Sequence, residues 1–541
     1  MTPPVWLYDT TLRDGTQGEN ISFSADEKLM IAKRLDEIGV HYIEGGWPGS
    51  NPRDMQFFDL ARRERFCTAR IAAFGATRRP GIRAEADSNL KALVDSGAPV
   101  TTIFGKSWDL HVDRIMEIER EENLAMIRDS VAFLKSHDRE VVYDAEHFFD
   151  GYRENPDYAM QTLMAAVAGG AQRLVLCDTN GGALPFDVQS AVEKVVAALA
   201  GHPRVSAGIH THNDSGLAVA NSLMAVRAGA TMVQGTINGY GERCGNADLT
   251  SIIPLLCLKM GRPVISDENL RKLKQVSRFV SETANLVPLG SRPFVGQSAF
   301  AHKGGIHVHA ISKEPQAYEH MDPARVGNRR RVLLSDLSGR SNVDYKAREL
   351  GIDPDGFDSR EIVRHIKTLE QSGYEFDGAD GSFKILLEKH LHRFTPYFDL
   401  ESFRVSIEKD QQQPCSAHAT IKINVGGQKE ITAAEGNGPV SALDNALRKA
   451  LDKFYPEIRT MRLVDFKVRV IDGREGTAAR VRVWIESRDH DDIWQTIGVS
   501  EDIIEASWQA LADSFQYKLA KTVNGNGRHP LKTGATCPAA V

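Results

Sequence analysis

Two hydrophobic rhythms alternate along the first part of the chain. Short runs of apolar and β-branched residues occur at VWLYD (5–9), HYIEGG (41–46), ARIAAFGA (69–76) and PVTTIFGK (99–106). Four more follow at REVVYDAEH (139–147), QRLVLCDT (172–179), VSAGIHTH (205–212) and ATMVQGTI (230–237). Between them the apolar positions recur every three or four residues, the spacing of an amphipathic helix. In SADEKLMIAKRLDEIG, Ser24 is placed to cap such a helix, with Glu27 completing a capping box. Strands that alternate with helices in this number predict a (β/α)₈ barrel, which takes about 250 residues. A doubly wound open sheet has the same alternation, and periodicity alone does not separate the two.

The barrel makes a further demand. Its chemistry has to gather where strands end and βα loops begin, because only that rim collects side chains from every strand. Asp9, Arg13 and Asp14 follow the first strand and Glu44 ends the second. Glu146 ends the fifth, Asp178 and Thr179 the sixth, His210 and His212 the seventh, and Asn246 follows the eighth. That placement favours the barrel.

Beyond the barrel, assigned to 1–270, residues 271–400 are mixed, mostly helical and polar, and include AFAHKGGIHVHAISK. A linker-like segment, KDQQQPCSAHA (409–419), falls at the start of a second globular unit, assigned to 401–522. Strand-like ATIKINV, LVDFKVRVI and ARVRVWIES occur there beside GNGPVSALDNALRKAL and EDIIEASWQALADSFQYKL, which carry helical spacing. Strands with segregated helices predict an α+β module. The tail 523–541 has no periodicity and is expected to be disordered.

Composition narrows the function classes. At 541 residues the chain predicts several domains, and 42% hydrophobic with 26% charged residues is ordinary for a soluble globular protein. A net charge of −6 leaves no basic footprint for nucleic acid. The start, MTPPVWLYDTT, shows no secretory signal, and no long apolar run predicts a membrane span. Cysteines 67, 177, 244, 257, 415 and 537 are scattered, which reads as reduced thiols in a cytoplasmic protein.

The candidate chemistry starts at GIHTHND (208–214). Alternate residues of a strand share a face, so His210 and His212 point the same way. Asp14, on a strand brought near once the barrel closes, can add a carboxylate, and Asn246 a carbonyl oxygen. Such a set suits Mg²⁺, Mn²⁺, Co²⁺ or Zn²⁺, and ligand type does not choose among them. The plainer alternative is a pair of polar loop residues. Arg13 either forms a surface salt bridge with Asp9 or Glu19 or stabilises negative charge developing on a substrate oxygen. Thr179 could then hold a carboxylate of that substrate, as a metal-chelating 2-keto acid would require. FGKSWDL has Val100 where a phosphate loop needs glycine, and GYGERCG (239–245) is one residue too long for a dinucleotide fingerprint. HKGGIHVHAISKEPQAY (302–318) is either a solvated loop or a lid that brings His302, His307, His309 or Tyr318 to the barrel mouth.

Taken together, YDTTLRDGTQ, HTHND, NGYGERCGN and GGIH resemble the metal-dependent enzymes that condense 2-keto acids with acetyl-CoA, the isopropylmalate, homocitrate and citramalate synthases. GENISFS, IEGGWPGSNPRD and GVSEDIIEASWQAL look most like the citramalate branch, and GNGPVSALDNAL resembles the regulatory dimer domain of isopropylmalate synthases. The resemblance implies Asp14, His210, His212 and Asn246 at a divalent metal, Mg²⁺ or Mn²⁺, or else Zn²⁺ or Co²⁺. It implies Arg13 at the enolate and alkoxide oxygen, Thr179 at the keto-acid carboxylate and Glu146 in acid–base work, with His307 and Tyr318 delivered by the partner of a homodimer. The implied substrates are pyruvate and acetyl-CoA, and isoleucine is the implied effector of the C-terminal unit. That unit could instead be a dimerisation module alone. Three other functions stay open at this stage: isopropylmalate synthesis from 2-ketoisovalerate, a lyase of the hydroxymethylglutaryl-CoA kind, and an amino-acid sensor without activity.

Overall fold

A computed structural model describes residues 4–335, 338–409, 415–471 and 479–526. Eight parallel strands close into a barrel in sequence order: β1 (Trp6–Asp9), β2 (Tyr42–Gly46), β3 (Arg70–Ala76), β4 (Val100–Lys106), β5 (Glu140–Glu146), β6 (Arg173–Asp178), β7 (Ser206–Thr211) and β8 (Met232–Gly235). Strand β8 pairs back onto β1 in the register Trp6 to Met232 through Asp9 to Gly235, so no sheet edge is left and the open-sheet alternative falls. The first βα helix, Ala25–Glu37, carries the expected capping box between Ser24 and Glu27.

Strand parity sorts the side chains. Tyr8, Tyr42, Ala72, Val100, Val142, Val175, Cys177 and Met232 fill the barrel interior as one cluster. Their strand neighbours, among them Leu7, Ile43, Val141, Leu174, Ile209 and Val233, belong to the outer core shared with the helices. The period of two carries the inward face up each strand to its C-terminal end. There it presents Glu44, Phe74, Phe104, Lys106, Asp144, Glu146, His210 and Gln234, and just past the strand ends Thr179 and His212. Asp9 and Asp178 have the opposite parity and serve their loops. Asp9 accepts from the Thr11 amide (2.9 Å) and hydroxyl (2.8 Å), and Asp178 accepts from the Gly182 and Ala183 amides.

The chain divides into two compact units, one of Met1–Phe300 with Met321–Arg330, the other of Ala301–His320 with Arg331–Val541. In the second unit β9 (Ala301–His302) pairs with β10 (Arg331–Val332), and helices span Gly305–Lys313, Arg340–Glu349, Ser359–Gln371 and Asp380–His390. The HKGGIHVHAISK segment is therefore largely helical. Two strand–strand–strand–helix repeats follow. The first is β11 (Asp399–Glu408), β12 (Ser416–Val425), β13 (Gln428–Gly436) and helix Pro439–Leu451. The second is β14 (Arg462–Val470), β15 (Val481–Arg488), β16 (Ile493–Ser500) and helix Ile503–Asn526. Both sheets are antiparallel meanders, and residues of both repeats build one core. The linker expected at 409–419 gives way to strand from Ser416, and its residues 410–414 lie outside the described residues. The last helix runs past the boundary expected at 522, and the rest of the expected tail, 527–541, also lies outside them.

Candidate active site

The end of β7 places His210 and, one residue past the strand, His212 on the inward face, and closure of the barrel through β8 onto β1 sets Asp14 near them. His210 Nε2 lies 3.4 Å and His212 Nε2 3.9 Å from Asp14 Oδ2, and the two Nε2 atoms are 3.3 Å apart. One candidate ligand atom from each of the three lies within 4.8 Å of the others, and all three residues are buried. Asn246 joins the backbone of His212 through an isolated bridge, and its amide nitrogen donates to the Tyr240 carbonyl (3.1 Å). Gly241, at φ +157°, makes room for it: a Cβ there would lie 2.1 Å from the Asn246 amide nitrogen.

Electrostatics prepare these groups for a cation. Burial pushes the His210 imidazole down to about 3 and lowers His212 as well, so both are neutral at pH 7 and keep lone pairs. Burial works against the Asp14 carboxylate, but the Arg13 guanidinium beside it is the largest of the influences that hold Asp14 below the usual carboxylate range. Asp14 Oδ1 and Asn246 Oδ1 are buried with no hydrogen-bond donor. Unsatisfied buried oxygens are costly. Two neutral imidazoles, the Asp14 carboxylate and the Asn246 carbonyl oxygen fit a divalent cation.

Arg13 is held rigidly beside this group. Its Nε donates to Glu44 Oε2 (2.6 Å), its guanidinium lies 3.7 Å from the Phe74 ring centroid, and Nη1 is 3.5 Å from Asp14 Oδ2. The surface pairing with Asp9 or Glu19 is replaced by a buried one. Glu44 in turn accepts from the Tyr8 hydroxyl (2.7 Å). Thr179 Oγ1 accepts from the His147 amide (2.8 Å), which leaves its own proton to donate. Glu146 is ion-paired with Lys106. His307 and Tyr318 lie in the second unit, stacked on each other with ring centroids 4.2 Å apart.

Four contributors escaped the sequence reading: Lys106, Phe74, Asp144 and Gln234. Glu44 is legible in the sequence as a strand-end acid, but its pairing with Arg13 is not. Only the inward parity of their strands could have pointed to them. Trp47 packs edge-on against Phe74 (5.6 Å) and Phe104 (5.7 Å), so the Phe74 ring under the Arg13 guanidinium is one of a cluster of three aromatic rings.

A parallel barrel with one buried carboxylate, two buried histidines and an arginine at its C-terminal rim has the makings of a divalent-cation site where such barrels carry their chemistry. The HMGL-like family profile matches residues 4–280, the homocitrate synthase post-HMGL domain-like profile 294–374, and the LeuA allosteric (dimerisation) domain profile 377–519. The chain is 55% identical to an (R)-citramalate synthase of Geobacter sulfurreducens, over 96% of this chain and 98% of that one. It is 51% identical to an (R)-citramalate synthase of Aquifex aeolicus, over 96% and 99%. A probable 2-isopropylmalate synthase of Methanopyrus kandleri is 31% identical, over 94% and 97%. The chain belongs to the HMGL-like family, in the branch of the (R)-citramalate synthases.

Proposed function

We propose that this chain condenses acetyl-CoA with pyruvate and hydrolyses the resulting thioester, releasing (R)-citramalate and CoA. The observation that carries the reading is the buried Asp14, His210 and His212 group with Arg13 beside it. A divalent cation held by these residues, with Asn246 adjoining, supplies Lewis-acid polarisation of a keto group; Mg²⁺ or Mn²⁺ suits the set, as do Zn²⁺ and Co²⁺.

The chain's own residues do the rest. Glu146, ion-paired with Lys106, and His307 are the two candidates to take a proton from the acetyl methyl group. Arg13, fixed by Glu44 and Phe74, faces the negative charge that develops as the new carbon–carbon bond forms. The Thr179 hydroxyl donates to the keto-acid carboxylate, and Tyr318 stands beside His307. Water then attacks the thioester carbonyl and the CoA thiol leaves, which draws the condensation forward.

The three aromatic rings at Trp47, Phe74 and Phe104 favour a methyl group over an isopropyl group next to the keto carbon. The second reading, isopropylmalate synthesis, rests on a more distant relative. The enzyme is proposed to be a cytoplasmic homodimer with isoleucine as effector of its C-terminal repeats, supported by the allosteric dimerisation domain profile.

The test is CoA thiol release with Mg²⁺ or Mn²⁺, comparing pyruvate, 2-ketobutyrate, 2-ketoisovalerate and 2-ketoglutarate. Release is expected to be greatest with pyruvate and lost in Asp14→Ala. Greatest release with 2-ketoisovalerate moves the protein to the second reading, and none with any of the four removes the function.

A further inference from the structure

One buried polar chain in the barrel is untouched by the mechanism above. His210 Nδ1 lies 2.9 Å from Gln234 Oε1, and Gln234 Nε2 donates to Asp144 Oδ1 at 3.0 Å. Gln234 is on β8 and Asp144 on β5, strands that are not neighbours, so the amide spans the barrel interior. Gln234 is fully buried, and Asp144 and His210 nearly so.

An amide in such a place has two orientations, and the two have opposite consequences. With its oxygen toward His210, the imidazole must carry its proton on Nδ1, which leaves Nε2 bare toward Asp14 and His212. With its NH₂ toward His210, Nδ1 would have to be the acceptor and the proton would move to Nε2, in the direction of the cation. In the structure the amide is held in the first of these orientations: its NH₂ group donates to Asp144 Oδ1, which leaves its oxygen facing His210 Nδ1. His212 has no such partner: its Nδ1 is buried without a hydrogen bond. The two histidines are therefore not equivalent.

We propose that Gln234, oriented by Asp144, is a positioning residue that fixes His210 in the Nδ1–H tautomer and so sets the affinity of the site for its divalent cation. The inference rests on Asp14, His210 and His212 being the metal ligands. Residues that orient a ligating histidine from behind typically contribute about 10–100-fold in metal affinity.

The experiment is calorimetric titration of Mn²⁺ into the metal-free full-length protein, with thermal unfolding to check that each variant is folded. Gln234→Met keeps the volume and loses the acceptor; Gln234→Glu keeps the acceptor and adds a charge beside Asp144. A residue that only fills space would tolerate Met better than Glu. A positioning residue gives the reverse order, and Gln234→Met is expected to weaken Mn²⁺ by about 10–100-fold while Gln234→Glu recovers most of the loss. Asp144→Asn, which lets the amide turn over, is expected to weaken Mn²⁺ several-fold and carries the test alone if Gln234→Met does not fold. Wild-type affinity in Gln234→Met, or in Asp144→Asn, overturns the proposal. Asp14→Ala separates the two levels: undiminished Mn²⁺ binding there removes the metal-site reading itself, whereas loss of binding there with no effect at Gln234 removes only the positioning role.

Discussion

Glu44 shows how much one residue contributes when it joins two functions. It accepts from Tyr8 and Arg13 at once and is wholly buried, so its charge is stable there only through those partners. Removing one member of a buried ion pair costs about 3–5 kcal/mol, because the other charge stays behind uncompensated. Glu44→Gln is expected to lower the unfolding free energy by an amount of that order in chemical denaturation. It should also reduce kcat/KM by about 10²-fold as the Arg13 guanidinium loses its fixed aim. Normal stability with normal kinetics would mean that Phe74 alone orients Arg13.

Asp9 makes a separate prediction at the same scale. Burial raises its carboxyl to about 7, against about 3.9 for an exposed aspartate. Between those values the folded protein holds a proton that the unfolded chain does not, so this group makes stability fall as pH rises from about 4 to 7. Asp9→Asn should flatten that part of the stability–pH curve. An unchanged slope would show that Asp9 is ionised throughout.

At the scale of elements, the second C-terminal repeat has an uneven face. Phe466, Val468 and Val470 of β14 pair with Ile485, Val483 and Val481 of β15 and so share the core-facing side of the sheet. Ile485 and Val483 are fully buried, whereas the three β14 residues are exposed. An apolar strand at a sheet edge is open to association, which agrees with the dimerisation profile over this region. Val468→Glu is expected to shift the protein toward monomer in analytical ultracentrifugation. An unchanged sedimentation profile places the contact elsewhere. The capping box of helix Ala25–Glu37 is a purely structural device by comparison, and Ser24→Ala should cost about 1 kcal/mol without altering kinetics.

For the whole molecule, cation binding and folding are linked. A ligand that binds only the folded state stabilises it by RT ln(1 + [L]/Kd), about 2.7 kcal/mol at a concentration one hundred times Kd. Mn²⁺ at that level should raise the melting temperature of the barrel unit and leave the C-terminal repeats unaffected, as two transitions in calorimetry would resolve. A rise of equal size in Asp14→Ala would place the cation outside the proposed site.

The sequence by itself determined the local rhythm and the local signals. Alternation of apolar runs gave all eight barrel strands to within a residue or two, because the hydrophobic period is a property of neighbouring positions. Ser24 with Glu27, and His210 with His212, were legible for the same reason: each pair lies within one turn or one strand. What only the tertiary structure decided is what crosses the barrel. Arg13 meets Glu44 and Phe74 rather than the acids near it in sequence, and Gln234 meets Asp144 and His210 from a strand that is not adjacent to β5. Those contacts depend on closure of β8 onto β1 and on an inward parity that every strand must share. No single stretch of chain carries that information; it exists only once eight strands enclose a common space.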